Sequence, residues 1–137
     1  MKPIRLAFAI FLLTGSAAQA GDLTIRIDGV QTGGGQVMVA LYDSADGFLK
    51  RSIKAAAAPA TAGSTTVVIG DVPAGEYGIA LYHDANANGK MDSNPMGMPT
   101  EDFAFSNNAR GNMGPPSFAD ATFAVPQAGA AVTVSLR

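Results

Sequence analysis

From Leu23 onward, apolar residues recur at every second position. Leu23, Ile25 and Ile27 alternate with Thr24, Arg26 and Asp28, the mark of a strand with one buried face. "QVMVALYD" (36–43) carries Val37, Val39 and Leu41 on one face and Met38, Ala40 and Tyr42 on the other. "STTVVIGDV" (64–72) turns Val67 and Ile69 inward, and "EYGIALYHD" (76–84) turns Tyr77, Ile79 and Leu81 to one side. "FADATFAV" (118–125) and "AAVTVSLR" (130–137) predict two more strands, the last with Val132, Val134 and Leu136 as its apolar set. Gly, Pro, Asn and Asp punctuate these runs as turn residues do, and "GGG" at 33–35 predicts a hairpin between the first two strands.

Two segments do not alternate. Asp46 to Ala58, with Phe48, Leu49, Ile53 and a run of alanines, fits either a short helical turn or an irregular crossover. Asp84 to Ser117 is a long connection rich in Asn, Gly, Pro and Met. Six or seven short strands with such turns predict an all-β fold, an antiparallel β-sandwich of about seven strands with one long ordered loop.

The first 20 residues change the picture. Lys2 and Arg5, the apolar run Leu6 to Leu13 and the small residues Ala18-Gln19-Ala20 form the pattern of a secretory signal peptide cleaved after Ala20. The expected organisation is a signal peptide (1–20) and a single β-sandwich domain (21–137), with no transmembrane segment in the mature chain and a periplasmic or extracellular destination. Without Lys2 and Arg5, seven basic residues stand against 11 acidic ones, a net charge of −4 that disfavours nucleic acid as a partner. There are no cysteines, so neither disulfides nor a cysteine-linked lipid anchor is available.

"DVPAGEYGIALYHDANANGKMD" (71–92) resembles the Cna-B-like and transthyretin-like sandwich modules of secreted bacterial proteins, in which a "PAGEY" turn starts a strand and an Asp-x-Asn-x-Asn-Gly loop follows it. The wider run through "GMPTEDFAFSNNARGNMGPPSFADATF" (97–123) is more similar to an uncharacterised bacterial secreted family, domain-of-unknown-function family 2141. That resemblance implies a sandwich fold and export, and no established activity. Transthyretin-like folds also include a hydrolase of 5-hydroxyisourate, which needs several His and Arg residues and a C-terminal Tyr-Arg-Gly-Ser. This chain has one His and ends "VTVSLR".

The loop "HDANANGKMD" (83–92) carries candidate metal chemistry. Ca²⁺ takes six to eight oxygens, and Asp84, Asn86, Asn88, the Lys90 carbonyl and Asp92 fall at positions 1, 3, 5, 7 and 9 of an EF-hand-type loop, with Gly89 at position 6. Position 12, normally a bidentate Glu, is Pro95, so Glu101 or Asp102 would have to replace it. Equally, Asn and Asp cap turns with their own side chains, and Asn88-Gly89 is a turn signal in itself.

A second metal chemistry competes. Met91, Met96, Met98 and Met113 fall in the long loop and His83 at its edge, and thioether and imidazole suit Cu(I), as in a periplasmic copper carrier. The alternative is that Met fills irregular apolar gaps. An enzyme is the third class. A small hydrolase would need His83 as its base, but no nucleophile elbow accompanies it, and Glu101 and Asp102 would point to opposite sides of a strand.

In "FAFSNNARGNMGPPSF" (103–118), the amides of Asn107 and Asn108 and the cation of Arg110 form a candidate ligand-binding set for a small molecule, glycan or protein. Carbohydrate platforms generally use Trp, and the chain has none. The spacing of Phe103 and Phe105 predicts two rings on one face, with Phe118 beside them, and a pairing of Arg110 with Asp120 beneath the loop. Together these features predict an exported, non-enzymatic binding or accessory module with a structural Ca²⁺ loop at 84–92.

Overall fold

The computed structural model describes residues 20–97 and 99–136. The expected signal peptide lies outside these residues except for Ala20, and so does Met98 of the soft-metal set. Eight strands form: β1 (Gly21–Val30), β2 (Gln36–Tyr42), β3 (Lys54–Pro59), β4 (Gly63–Val72), β5 (Gly75–Asp84), β6 (Phe103–Phe105), β7 (Phe123–Val125) and β8 (Ala130–Ser135). They make two packed sheets, an all-β sandwich. One is three-stranded in the order β4-β1-β8. The other is five-stranded, with β3-β2-β5-β6 in a row and β7 paired to the first residues of β5.

The alternating side chains meet between the sheets. Leu23, Ile25 and Ile27 of β1, with Val67 and Ile69 of β4, pack against Val37, Val39 and Leu41 of β2 and Tyr77, Ile79 and Leu81 of β5. On the three-stranded sheet the opposite face is polar. Arg26 and Asp28 form an exposed ion pair there at 2.9 Å, and Ser64 donates a hydrogen bond to the same carboxylate at 2.7 Å. The five-stranded sheet differs, because β2 and β5 are apolar on both faces. Burial on one face alone cannot satisfy them, so the long connections fold back over the outer face.

Four expectations need correction. The pairing is not wholly antiparallel, since β8 runs parallel to β1. "GGG" is not a hairpin, because β1 pairs with β4 and β8 while β2 belongs to the other sheet. The glycines instead let the crossover pass close against the end of β5. Gly35 has φ 65°, and a Cβ there would collide with the Asp84 carbonyl oxygen. The stretch from Asp46 divides into turns around Gly47 and then strand β3. Its alanines pair with β2 at the sheet edge and end at Pro59, which has no N–H to offer a further strand. "FADATFAV" is not one strand either. Ser117 accepts the Asp120 N–H at 3.2 Å and caps a short helix, α1 (Phe118–Ala121), before β7.

Candidate functional site

The outer face of the five-stranded sheet is the floor of a large cleft of about 950 Å³. Met38, Ala40 and Tyr42 of β2 and Ala80 and Tyr82 of β5 build that floor, and Phe103 and Phe105 of β6 extend it sideways. Register explains the flat middle. Ala55, Ala40 and Ala80 stand opposite one another across three strands in a row that ends at Phe105, so small side chains make the middle of the floor. Ala55 of β3 closes one side, while Met91, Pro99, Met113 and Pro115 of the long connection overhang the other. Among the described residues no charged one lines this cleft.

An aromatic cluster sets its inner end. Phe48 stacks edge-on against Tyr42 at 5.3 Å and against Phe118 at 5.6 Å, and Phe103 meets Phe105 at 5.9 Å. These contacts hold the turn at 44–51 and helix α1 against the sheet while leaving Met38 and Tyr82 half-buried. Burial pushes the phenols of Tyr42 and Tyr82 above their ordinary value of 10.0. Both therefore stay neutral hydrogen-bonding groups in an otherwise apolar space.

Two residues at the rim break the usual conformational rules. Leu49 and Met113 both have left-handed backbones, with φ 63° and 60°, and both side chains are exposed, at 38% and 102%. A left-handed conformation at a non-glycine residue costs about 1–3 kcal/mol. In each case the result is a large apolar side chain held at the mouth of the cleft.

A smaller hollow of about 290 Å³ adjoins the cleft and shares Phe103, Phe105 and Gly114 with it. Asn108, Arg110 and Ser135 line the hollow. Of the three expected ligand-binding residues, the structure engages two internally. Asn107 donates to the carbonyls of Asp120 (3.1 Å) and Thr122 (2.8 Å), and Asn108 accepts the Ser135 N–H at 2.9 Å. Both residues are left-handed, at φ 62° and 50°, a conformation Asn tolerates. Arg110 is exposed and does not pair with Asp120, because Asp120 belongs to α1 rather than to a strand. Among the described residues the only ion pair is Arg26–Asp28.

The residue that organises this region was not singled out in the sequence. Ser106 is buried, and its hydroxyl accepts the Ile79 N–H (2.9 Å) while donating to the Ala121 carbonyl (2.5 Å). It ties β5, the 3-10 turn at Ser106–Asn108 and α1 to one point. A serine directly after "FAF", where another apolar residue would continue the strand, is the only signal it leaves.

The 84–92 loop is held by its own polar groups. The Asp84 carboxylate is 2% exposed and accepts the N–H groups of Asn88 (3.2 Å) and Gly89 (2.8 Å). Gly89 has φ 79°, which a turn of this kind demands. The side-chain amides of Asn86 and Asn88 both donate to the Asp92 carboxylate. Glu101, rather than Asp102, reaches the loop. Its carboxylate accepts Ala85 N–H and Asp92 N–H, each at 2.9 Å, and so joins the loop's two ends. Asp102 contributes its backbone carbonyl to His83 N–H at 2.9 Å. After burial, the charges of Asp84, Glu101 and Asp92 are the next causes that raise the Tyr82 phenol. Among the described residues no three His, Cys, Asp or Glu side chains form a ready-made ligand group, so a cation here would also need the Asn and backbone oxygens.

The soft-metal residues are dispersed. His83 lies on the core side of β5, 4% exposed, with its Nε2 2.8 Å from the Gly34 carbonyl. Met91 and Met113 line the cleft on the opposite face, and Met96 is 86% exposed.

Fold and site define the class: a small all-β sandwich whose second sheet carries an apolar cleft roofed by one long connection. Residues 25–133 match the family described as "Uncharacterized protein conserved in bacteria (DUF2141)", and the chain belongs to that family. No curated protein and no solved structure matches the chain. No helix among the described residues is long and apolar enough to cross a membrane.

Proposed function

We propose that this chain is an exported, non-enzymatic binding module that holds an apolar small molecule in the cleft on the outer face of its five-stranded sheet. The observation that carries this proposal is the uncharged cleft of about 950 Å³. Its size is at the upper end of the range of about 300–1,000 Å³ usual for small-molecule pockets, and two tyrosine hydroxyls supply the few polar groups such sites use. Export is part of the proposal and rests on the basic, apolar and Ala-x-Ala pattern of residues 1–20.

The test is fluorescence of a neutral solvatochromic dye. Wild-type protein is expected to brighten the dye saturably. Ala80→Trp, which fills the middle of the floor, should abolish the signal while keeping a cooperative thermal melt. Equal dye binding in both proteins would sink the proposal.

The long connection supports a second element of this reading, a structural Ca²⁺ at residues 84–92. The favouring observation is Glu101, whose carboxylate joins the loop's ends where position 12 holds Pro95. An amide side chain can turn its oxygen inward at small cost because its two ends are nearly the same shape. Asn86, Asn88 and the Lys90 carbonyl would then complete an oxygen set with Asp84 and Asp92. Extracellular modules hold Ca²⁺ with dissociation constants of about 10⁻⁴–10⁻³ M, so millimolar Ca²⁺ against EDTA is the relevant comparison.

A further inference from the structure

The cleft and the small hollow beside it are chemically unlike, and they share part of their walls. Phe103, Phe105 and Gly114 line both. The cleft has no charged lining residue, and the hollow has one, Arg110. Among the described residues, Arg110 makes no hydrogen bond or ion pair, and no acidic side chain lines either space. The amide oxygen of neighbouring Asn108 is engaged by Ser135 N–H, which leaves the amide NH₂ as a donor beside the guanidinium. An apolar trough about three times the volume of the hollow therefore lies beside a compact site offering positive charge and N–H donors.

We infer that the ligand is a free single-chain anionic amphiphile, a long-chain carboxylate, with its alkyl chain in the cleft and its head at Arg110. This inference rests on the binding proposal above and adds the class of ligand. Three features carry it. The cleft has no partner for a charge, so the buried part of the ligand must be uncharged. Among the described residues the only charge lining either space is a guanidinium, whose fork matches a carboxylate in two parallel hydrogen bonds. Leu49 and Met113, both in left-handed conformations, hold apolar side chains at the mouth, where they would cover an alkyl chain once it lies in place. The net charge of −4 expected for residues 21–137 opposes a negatively charged bilayer surface, which favours a free molecule over a membrane as the source of the carboxylate.

The experiment is displacement of the neutral dye by dodecanoate and by 1-dodecanol, both below aggregation, from wild type, Arg110→Gln and Arg110→Lys. Dodecanoate is expected to displace the dye at about five-fold lower concentration than dodecanol, the size of one partly exposed ion pair. Arg110→Gln should remove that preference without changing dodecanol, and Arg110→Lys should keep part of it. Arg110 is exposed and makes no hydrogen bond or ion pair among the described residues, so its variants should melt as the wild type does. Equal displacement by both compounds from wild type would overturn the anionic head site and leave apolar binding in the cleft standing. A carboxylate preference that survives in Arg110→Gln would overturn the assignment to Arg110. Absence of dye binding in wild type would remove the binding proposal and this inference together. Co-flotation with phosphatidylglycerol vesicles, with no displacement by dodecanoate, would assign the surface to a membrane and overturn the inference.

Discussion

The Ser106 hydroxyl serves a strand N–H and a helix carbonyl at once. Ser106→Ala leaves the buried Ile79 N–H without a partner, and the expected loss is about 1–3 kcal/mol in urea melts. A change within the error of the melts would contradict the role given to it. Asp28 offers a pH test on the opposite sheet. Hydrogen bonds from Arg26 and then Ser64 hold its carboxyl below the ordinary 3.8. A depressed folded-state pKa contributes stability above the unfolded value, and that contribution is lost as pH falls through the folded one. Asp28→Asn should therefore weaken the protein near neutral pH and erase a small part of its loss of stability below about pH 4. Melts of both proteins across that range check the sign. Tyr82 reports on the metal loop. If Ca²⁺ binds at 84–92, it neutralises the charges of Asp84, Glu101 and Asp92, which with burial raise the Tyr82 phenol. Its phenolate absorbance should then appear at lower pH with Ca²⁺ than with EDTA, while burial keeps it above 10.0. Coincident titrations would contradict ion binding at this loop.

Elements were legible in proportion to how strongly their side chains alternate. The inward sets of β1, β2, β4 and β5 stand in the sequence as they do in the core, since period-two patterns in Val, Ile and Leu have no competing explanation. The alanines of β3 carry no such signal. Alanine is a poor strand former, and only pairing with β2 makes that segment a strand. "FADATFAV" alternates and is nevertheless half helix, because a capping serine after two prolines decided the local geometry over side-chain period. Connectivity was not legible at all. Three glycines suit a hairpin as well as a tight crossover, and only the neighbouring Asp84 backbone distinguishes them. The candidate site followed the same division. The Asp and Asn spacing of 84–92 was visible, but its clasp by Glu101 needed the chain to return from Thr100, 16 residues after Asp84. The cleft left one trace, the apolar outer faces of β2 and β5, which look like extra core until the incomplete roof is seen. For the loop as an element, Ca²⁺ at 100 times its dissociation constant should add about 2.7 kcal/mol. Glu101→Gln should reduce that gain in thermal melts, and identical melting with Ca²⁺ and EDTA would remove the ion from the account.

At the scale of the whole molecule, the two sheets divide the labour. The three-stranded sheet has one apolar face and turns a polar one to solvent, so it serves the core alone. The five-stranded sheet is apolar on both faces, and the connections at 43–53 and 85–117 cover its outer side only in part. A core needs no such second face, and 21–137 already buries a continuous cluster between the sheets. We propose that the uncovered part is where the molecule binds its ligand. Methyl resonances of the methionines and isoleucines measure this directly during titration with a neutral apolar probe. Met38, Met91 and Met113 line the cleft, whereas Ile25 and Ile27 lie in the core against the other sheet. Saturable shifts are expected at the three methionines, with Ile25 and Ile27 unmoved. Shifts confined to the three-stranded sheet, or none at the cleft methionines at saturating probe, would contradict it.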